Sequence, residues 1–154
     1  MTVPISTTAS DAELRHYLES FNALPMAKHF GARVELIDAC RVRAVIDPIQ
    51  PFHRGGLQSS AVNGGVLACI FDLVLGMPGL LRAYPAQRTA TVQLSMSFMK
   101  ALKGEKLLAS SFINRASGGL LFTEAEIRDD RDQVCAVAQG VVRMIEAYSE
   151  PKRY

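Results

Sequence analysis

The fold and the candidate chemistry are both decided by NGGVLACIFDLVLG, which occupies residues 63–76. Apart from Asp72 the run is apolar, and this predicts a helix that is buried on every side. A carboxylate inside such a helix is expected to have a raised pKa or an ion-pair partner, because burying an unpaired charge is costly. Gly64 and Gly65 predict bare backbone N–H groups at the helix N-terminus. One element thus combines polarising amides with an unusual acid, which suggests catalysis.

The composition is that of a single globular domain. The chain has 154 residues with 17 basic and 15 acidic side chains, and the basic ones are scattered. The basic residues form no stripe, so the sequence does not indicate a nucleic-acid or anionic-membrane partner. Cys40, Cys69 and Cys135 are widely spaced in apolar segments, which indicates buried thiols in a reducing compartment and no metal site.

We expect no targeting segment and no membrane-spanning segment in this sequence. Residues 1–9 lack a basic start and an apolar core, and the apolar stretch 66–75 is too short for a bilayer span. We therefore expect a cytoplasmic protein without a membrane partner. The predicted organisation is a disordered segment over 1–9, one domain over 10–148 and a tail over 149–154.

Periodicity and turn residues predict the order of the elements. A helix capped by Ser10 ends near Ala23, where Pro25 stops it. The buried helix covers about 63–76, with a break at Pro78 and a further turn to Tyr84. Six strands fit the alternating segments 31–40, 41–47, 89–99, 106–115, 120–129 and 133–145. Such an antiparallel sheet must bury one face, so we expect an α+β fold in which the sheet wraps around the helix.

This order, with Asn63-Gly64-Gly65 and Asp72 nine positions after the Asn, resembles the hotdog fold and, more narrowly, the PaaI-like acyl-CoA thioesterases. The resemblance covers residues from about 20 to 146 and includes the strand and turn TVQLSMSFMKALKGE at 91–105. It implies hydrolysis of an acyl-CoA, with coenzyme A as part of the substrate and no separate cofactor. It also implies a homodimer or homotetramer with active sites at the subunit interface.

The resemblance assigns roles to the central motif. Amides of Gly64 and Gly65 would polarise the thioester carbonyl, although the same glycines could simply make a tight helix entry. Asp72 would be general base or nucleophile, with a structural carboxylate as the alternative. Gly65 and Asp72 are separated by about 10 Å along one helix, so the amides and the acid of one site should come from different subunits.

Two positions depart from the family pattern, and a third has an uncertain register. Asn63 stands where the family usually has His; it can cap the helix and bind a ligand but cannot titrate near neutrality. Six residues earlier, where relatives carry Asn or Gln, the sequence has Leu57, with Gln58 beside it. Thr91 is the candidate for orienting the attacking water, with Thr89 as the alternative.

The remaining binding candidates are less specific. His53 could line the site entrance, Phe71 the acyl pocket and Gly119 the path of the pantetheine arm, although each also fits a loop, core or turn role. Flexible methionines fit a medium-chain or aryl acyl group. The apolar pocket candidates are Leu67, Phe71, Met77, Met96, Phe98 and Met99.

Two other functions compete with hydrolysis. A hotdog hydratase or dehydratase would need a His paired with an acid, and Asn63 replaces the nearest candidate. A non-catalytic acyl-CoA-binding or sensing protein would tolerate that replacement. The residues do not distinguish the acyl group, a base from a nucleophile, or a dimer from a tetramer.

Overall fold

The computed structural model describes residues 5, 8–55, 60–85 and 87–146. The expected helix and strands are present, with ends that shift by a few residues. The elements in chain order are α1 (Asp11–Asn22), α2 (Pro25–Phe30), β1 (Ala32–Leu36), β2 (Arg41–Ile46), a 3-10 turn (Pro51–His53), α3 (Gly64–Ala83), β3 (Gln87–Phe98), β4 (Leu107–Ser117), β5 (Leu120–Arg128) and β6 (Val134–Glu146).

The strands form one six-stranded sheet in the order β1-β2-β4-β5-β6-β3. Every neighbouring pair is antiparallel. The helix α3 packs against one face of this sheet, and its side chains Ile70, Phe71 and Val74 belong to the main core cluster. This is the expected α+β hotdog architecture, and the fold prediction is confirmed.

The N-terminal helix begins as the sequence predicts. Ser10 Oγ accepts the Glu13 N–H at 3.3 Å, and a Glu13 carboxylate oxygen accepts the Ser10 N–H at 2.7 Å, which completes a capping box. Pro25 does follow the end of α1, but it also opens the unexpected helix α2. A proline at the first helical position loses no hydrogen bond, because that N–H has no intrahelical acceptor.

The predicted helix break at Pro78 is wrong, because α3 continues through Pro78 to Ala83. A proline inside a helix leaves the carbonyl four residues earlier without its usual N–H donor. Here that carbonyl belongs to Val74, and the buried hydroxyl of Ser111 on β4 donates to it at 2.6 Å. The sheet therefore supplies the hydrogen bond that Pro78 cannot make.

One side of α3 is open in the single chain, so the expectation of a helix enclosed on all sides is also wrong. Gly65 and Asp72 are exposed. Cys69, which lies between them, and Gly76, one turn further on, are partly exposed. The helix is apolar and long enough to cross a membrane by length and composition, with a mean hydropathy of 1.9, and half of that apolar window is buried within the fold. Such burial is typical of a core helix.

The structure describes only part of the two predicted terminal segments. Ile5 is described, lies buried in the core cluster, and its N–H donates to the Ala39 carbonyl at 2.6 Å. The rest of the predicted disordered segment up to residue 7, and the predicted tail at 149–154, lie outside the described residues, as do Leu57 and Gln58.

Candidate active site

The N-terminus of α3 is fixed by the backbone of Asn63. Its N–H donates to the His53 carbonyl at 2.8 Å. Its carbonyl accepts the N–H groups of Val66 and Leu67 at 3.0 and 3.2 Å. These three bonds place the first turn of the helix directly against the loop that precedes it.

The side chain of Asn63 caps the same helix end. Its Oδ1 accepts the Gly65 N–H at 2.8 Å, so the prediction of two bare amides is wrong for Gly65. The N–H of Gly64 has no acceptor within the part of the chain that the structure describes. In this conformation, one of the two predicted amide donors is therefore available to a ligand.

A groove of about 290 Å³ opens beside Gly64. The ring of Phe98 lies against this glycine, and a Cβ built at Gly64 would be 3.4 Å from the ring. Phe98 and Met99 are 56% and 64% exposed, which is high for large apolar side chains. The lining residues are Ala61, Val62, Gly64, Leu67, Phe98, Met99, Lys100, Ala101 and Leu102.

The groove divides the predicted acyl-pocket residues into two groups. Leu67, Phe98 and Met99 line it. The others do not: Phe71 and Met77 are almost completely enclosed in the core, and Met96 is partly buried against the core cluster. Phe71 therefore packs the core of this chain and does not line the groove. The other lining residues are not among the candidates predicted from the sequence. The sequence feature that could have identified them is their position beside the Gly-Gly motif or at the end of the following strand.

Asp72 lies on the open side of α3 and is exposed, so the predicted burial is wrong for the single chain. It makes no hydrogen bond or ion pair with any described residue, which leaves the structural-carboxylate alternative without support. Burial, and secondly the charge of Asp72, raise the pKa of the Cys69 thiol. Within the described part of the chain, the carboxylate thus has no ion-pair or hydrogen-bond partner, and it projects from the helix next to a thiol whose pKa is raised.

Two threonines of β3 lie near this helix. Thr89 Oγ1 donates to the Gly76 carbonyl at 3.4 Å, so its hydroxyl is bound to α3. Thr91 is exposed and pairs with Val142, next to a bulge between Thr91 and Gln93. Directly paired residues project from the same face of a sheet, and Val142 packs with Leu121, which approaches α3 at Gly79. Thr91 therefore projects on the helix side of the sheet, and of the two threonines it has the exposed hydroxyl.

His53 is a structural residue in this chain. It is fully buried; the Gln50 N–H donates to its Nδ1 at 2.9 Å, and Nε2 lies 2.8 Å from the Phe30 carbonyl. Since Nδ1 accepts, the proton is on Nε2 and the ring is neutral. Burial lowers the pKa of His53, and the bond to Phe30 offsets this only in part. With both nitrogens engaged, the ring has no free atom for a substrate.

Arg54 and Gly119 also have defined positions. The Arg54 guanidinium donates to the carbonyls of Ser60 and Gly104 and pairs with Glu105 at 2.9 Å, so it ties the pre-helix loop to the turn before β4. Gly119 lies in the β4–β5 turn with φ 76°, and its carbonyl accepts the Met144 N–H. This turn is at the opposite end of α3 from Gly64.

The open side of α3 continues into an open sheet edge. Among the residues that the structure describes, β3 has β6 as its one neighbour in the sheet, so its outer edge presents backbone groups without a strand partner there. Phe98 lies at the start of α3, beside Gly64, and Thr89 lies near its end, beside Gly76 and Gly79. The helix and the edge strand therefore run antiparallel along the same side of the molecule.

The fold and this site define a hotdog protein, and comparison with known proteins identifies the family. The model of the thioesterase superfamily matches residues 60–136, half of the chain, and the protein belongs to that superfamily. The predictions of a PaaI-like thioesterase and of a thioester hydrolase are thereby confirmed at the level of the family. A search of curated protein sequences finds no significant match.

Solved structures agree with the fold at low sequence identity. A thioesterase from Haemophilus influenzae superposes with a TM-score of 0.80 at 12% identity, covering 94% of this chain and 96% of its own. A mutant thioesterase from Pseudomonas aeruginosa gives 0.77 at 11% identity, covering 92% and 97%. The PaaI protein of the phenylacetic acid degradation operon of E. coli gives 0.73 at 14% identity, covering 88% and 96%.

Proposed function

We propose that this protein is an acyl-CoA thioesterase whose two equivalent sites form between the subunits of a homodimer. Each site combines Asp72 of one subunit with the Gly64 and Gly65 amides of the other. The acyl group is medium-chain or aryl, coenzyme A is the leaving thiol, and no further cofactor takes part.

One observation carries this proposal: Asp72 and Gly65 lie on the same open side of α3. They are seven residues apart, which corresponds to roughly 10 Å along the helix axis. A thioester carbon in contact with the amides of one chain is therefore out of reach of the carboxylate of that chain. A second helix alongside, running in the opposite direction, brings its own carboxylate to the amides.

The open edge of β3 offers a way to hold that second helix. Antiparallel pairing of two β3 edges about a two-fold axis satisfies their free backbone groups and extends the sheet. Because α3 runs antiparallel to β3 in each chain, the two helices then lie side by side in opposite directions. The partner also covers the open face of α3, which would shield Asp72 from bulk solvent while leaving room for the attacking water. Two such dimers could associate further into a homotetramer.

The proposed reaction needs an acid-base group and an oxyanion site. The Asp72 carboxylate takes a proton from water as the hydroxyl adds to the carbonyl carbon, and the oxyanion is stabilised by the amides and the helix dipole. The carbon–sulfur bond then breaks, and the thiolate of coenzyme A receives the proton. Direct attack by Asp72 would instead form a mixed anhydride that water hydrolyses. In the first route the hydroxyl of Thr91 holds the attacking water.

The other proposed contacts involve the pantetheine arm of coenzyme A and the loop that precedes α3. The backbone of Gly119 belongs to a turn at the far end of α3, where it could border the pantetheine arm bound to a site of the dimer. Gln58 stays a candidate for the thioester contact. We leave His53 out, since both of its ring nitrogens are engaged. Cys40, Cys69 and Cys135 are free thiols, in keeping with a proposed cytoplasmic location.

One observation favours a second candidate, a protein that binds acyl-CoA without cleaving it. Asn63 occupies the Gly65 N–H, so one oxyanion donor is already used in this conformation. The neutral, buried state of His53 gives no comparable support to a hydratase or dehydratase, which would need an accessible proton carrier.

Turnover of an acyl-CoA panel tests the proposal. Release of free thiol is measured with short-chain, medium-chain and aryl esters for wild type, Asp72→Asn and Asp72→Ala. We expect wild-type hydrolysis and a loss of about 100-fold or more in kcat in both variants. Glu19→Gln, which neutralises an exposed acid on α1, is the matched control and should retain full activity. Tight binding without wild-type hydrolysis would favour the second candidate, and full activity in Asp72→Ala would exclude the proposed mechanism.

A further inference from the structure

The side chain of Asn63 occupies a donor that the proposed reaction requires. Its Oδ1 lies 2.8 Å from the Gly65 nitrogen. A Cβ built at Gly65 would be 3.0 Å from the same oxygen, so the amide group folds closely over this glycine. A thioester carbonyl approaching the Gly65 N–H from this side meets the Asn63 oxygen first.

The side chain can leave without dismantling the start of the helix. The Asn63 N–H and carbonyl make the bonds that anchor the first turn, to His53 on one side and to Val66 and Leu67 on the other. The remaining side-chain bond, from Nδ2 to the Gly55 carbonyl, is long at 3.4 Å. Asn63 is also exposed, so its amide group already borders solvent.

We propose that the Asn63 side chain is a displaceable cap that competes with the substrate carbonyl for the Gly65 N–H and thereby limits turnover. Asn63 is thus a positioning residue that acts through Gly65. This inference rests on the proposed function, since the competing carbonyl is that of the acyl-CoA. The free N–H of Gly64 binds the carbonyl first, and the N–H of Gly65 joins when the cap is displaced.

Relative hydrogen-bond strengths determine when the exchange occurs. The Asn63 oxygen and a ground-state thioester oxygen are both neutral acceptors, so the substrate gains little by displacing the cap. An oxyanion accepts a much stronger, charge-assisted hydrogen bond and displaces the cap readily. The exchange therefore belongs to the transition state, and the lost cap is a cost in kcat and has little effect on KM. Caps of this kind are worth about a factor of five in an equilibrium constant.

The experiment measures kcat, KM and melting temperature for variants at position 63 with the best ester of the panel. Asn63→Ala removes the competing oxygen, and we expect kcat to rise about fivefold at unchanged KM while the melting temperature falls. Asn63→Asp keeps an acceptor and places a negative charge beside the oxyanion, so kcat should fall by roughly tenfold or more. Ser10→Ala removes the equivalent cap from the distant helix α1, and it should lower the melting temperature without raising kcat.

The outcomes separate this inference from the proposed function. A rise in kcat in Asn63→Ala alone supports the displaceable cap, because a purely structural cap would lower stability without accelerating turnover. A fall or no change in kcat in Asn63→Ala, with wild-type hydrolysis intact, overturns the cap while the thioesterase stands. Absence of hydrolysis by wild type with every ester overturns both.

Discussion

The continuity of α3 through Pro78 depends on one hydrogen bond from the sheet, and removing that bond is a direct test. The hydroxyl of Ser111 and the residue Val74 are both completely buried, and the bond between them is 2.6 Å long. Ser111→Ala leaves the Val74 carbonyl with no donor from Pro78 or from water. An unsatisfied buried acceptor costs about 1–3 kcal/mol of the free energy of unfolding. In a chain of this size, a loss of about 2 kcal/mol lowers the melting temperature by about 4–8 °C.

A double-mutant cycle with Pro78 isolates the cause. Pro78→Ala restores an N–H that can reach the Val74 carbonyl within the helix, so Ser111→Ala should cost about 1 kcal/mol less in that background. Stability is measured by urea unfolding followed by circular dichroism, with the half-exposed neighbour Ser110→Ala as control, which should change stability by less than about 0.5 kcal/mol. An equal cost of Ser111→Ala with and without Pro78 would refute the compensation.

Further predictions concern pH dependence and packing. His53 has a pKa that burial lowers in the folded state, so the unfolded chain binds more protons below about pH 6.5 and stability should fall as the pH drops through that value. Unfolding titrations at several pH values should show this slope in wild type and in His16→Gln, and a smaller one in His53→Gln; an unchanged slope in His53→Gln would exclude His53 as its source. Gly79→Ala would place a Cβ 2.5 Å from Leu121 Cδ1 and 3.1 Å from Thr89 Cγ2, and such overpacking should destabilise the chain by about 1–3 kcal/mol. A Gly79→Ala protein as stable as wild type would show that the sheet yields easily at this point.

The sequence predicted the elements because their signals are local. Ser10 with Glu13 marks the start of α1, the alternating segments mark the strands, and Gly118-Gly119 marks a turn, where both glycines have positive φ. Pro78 misled the prediction because its compensation is not local. The hydroxyl that satisfies Val74 comes from Ser111, 37 positions away, and only the packing of β4 against α3 brings it there.

The candidate site was less predictable for the same reason. An apolar helix around Asp72 indicated burial on all sides, whereas the sheet of one chain covers only part of the circumference. The sequence placed His53 near a site entrance, but the turn at Pro51–His53 directs its ring inward toward Phe30. The sequence marks Asn63 as a possible cap, and in the structure its Oδ1 accepts the Gly65 N–H, which is the same N–H that the proposed reaction uses as an oxyanion donor.

The central claim, that Asp72 and the Gly64–Gly65 amides of one site belong to different subunits, is tested most directly by subunit mixing. Asp72→Ala and Gly65→Val are each expected to be inactive as homodimers, the second because its branched side chain blocks the amides. Co-expressed in equal amounts, half of the dimers are mixed and each carries one intact site, so activity should recover to about a quarter of wild type. Folding of each variant is checked by circular dichroism and the mixed dimer by native mass spectrometry. Recovery to that level would support the shared site, and mixed dimers that stay inactive would contradict it.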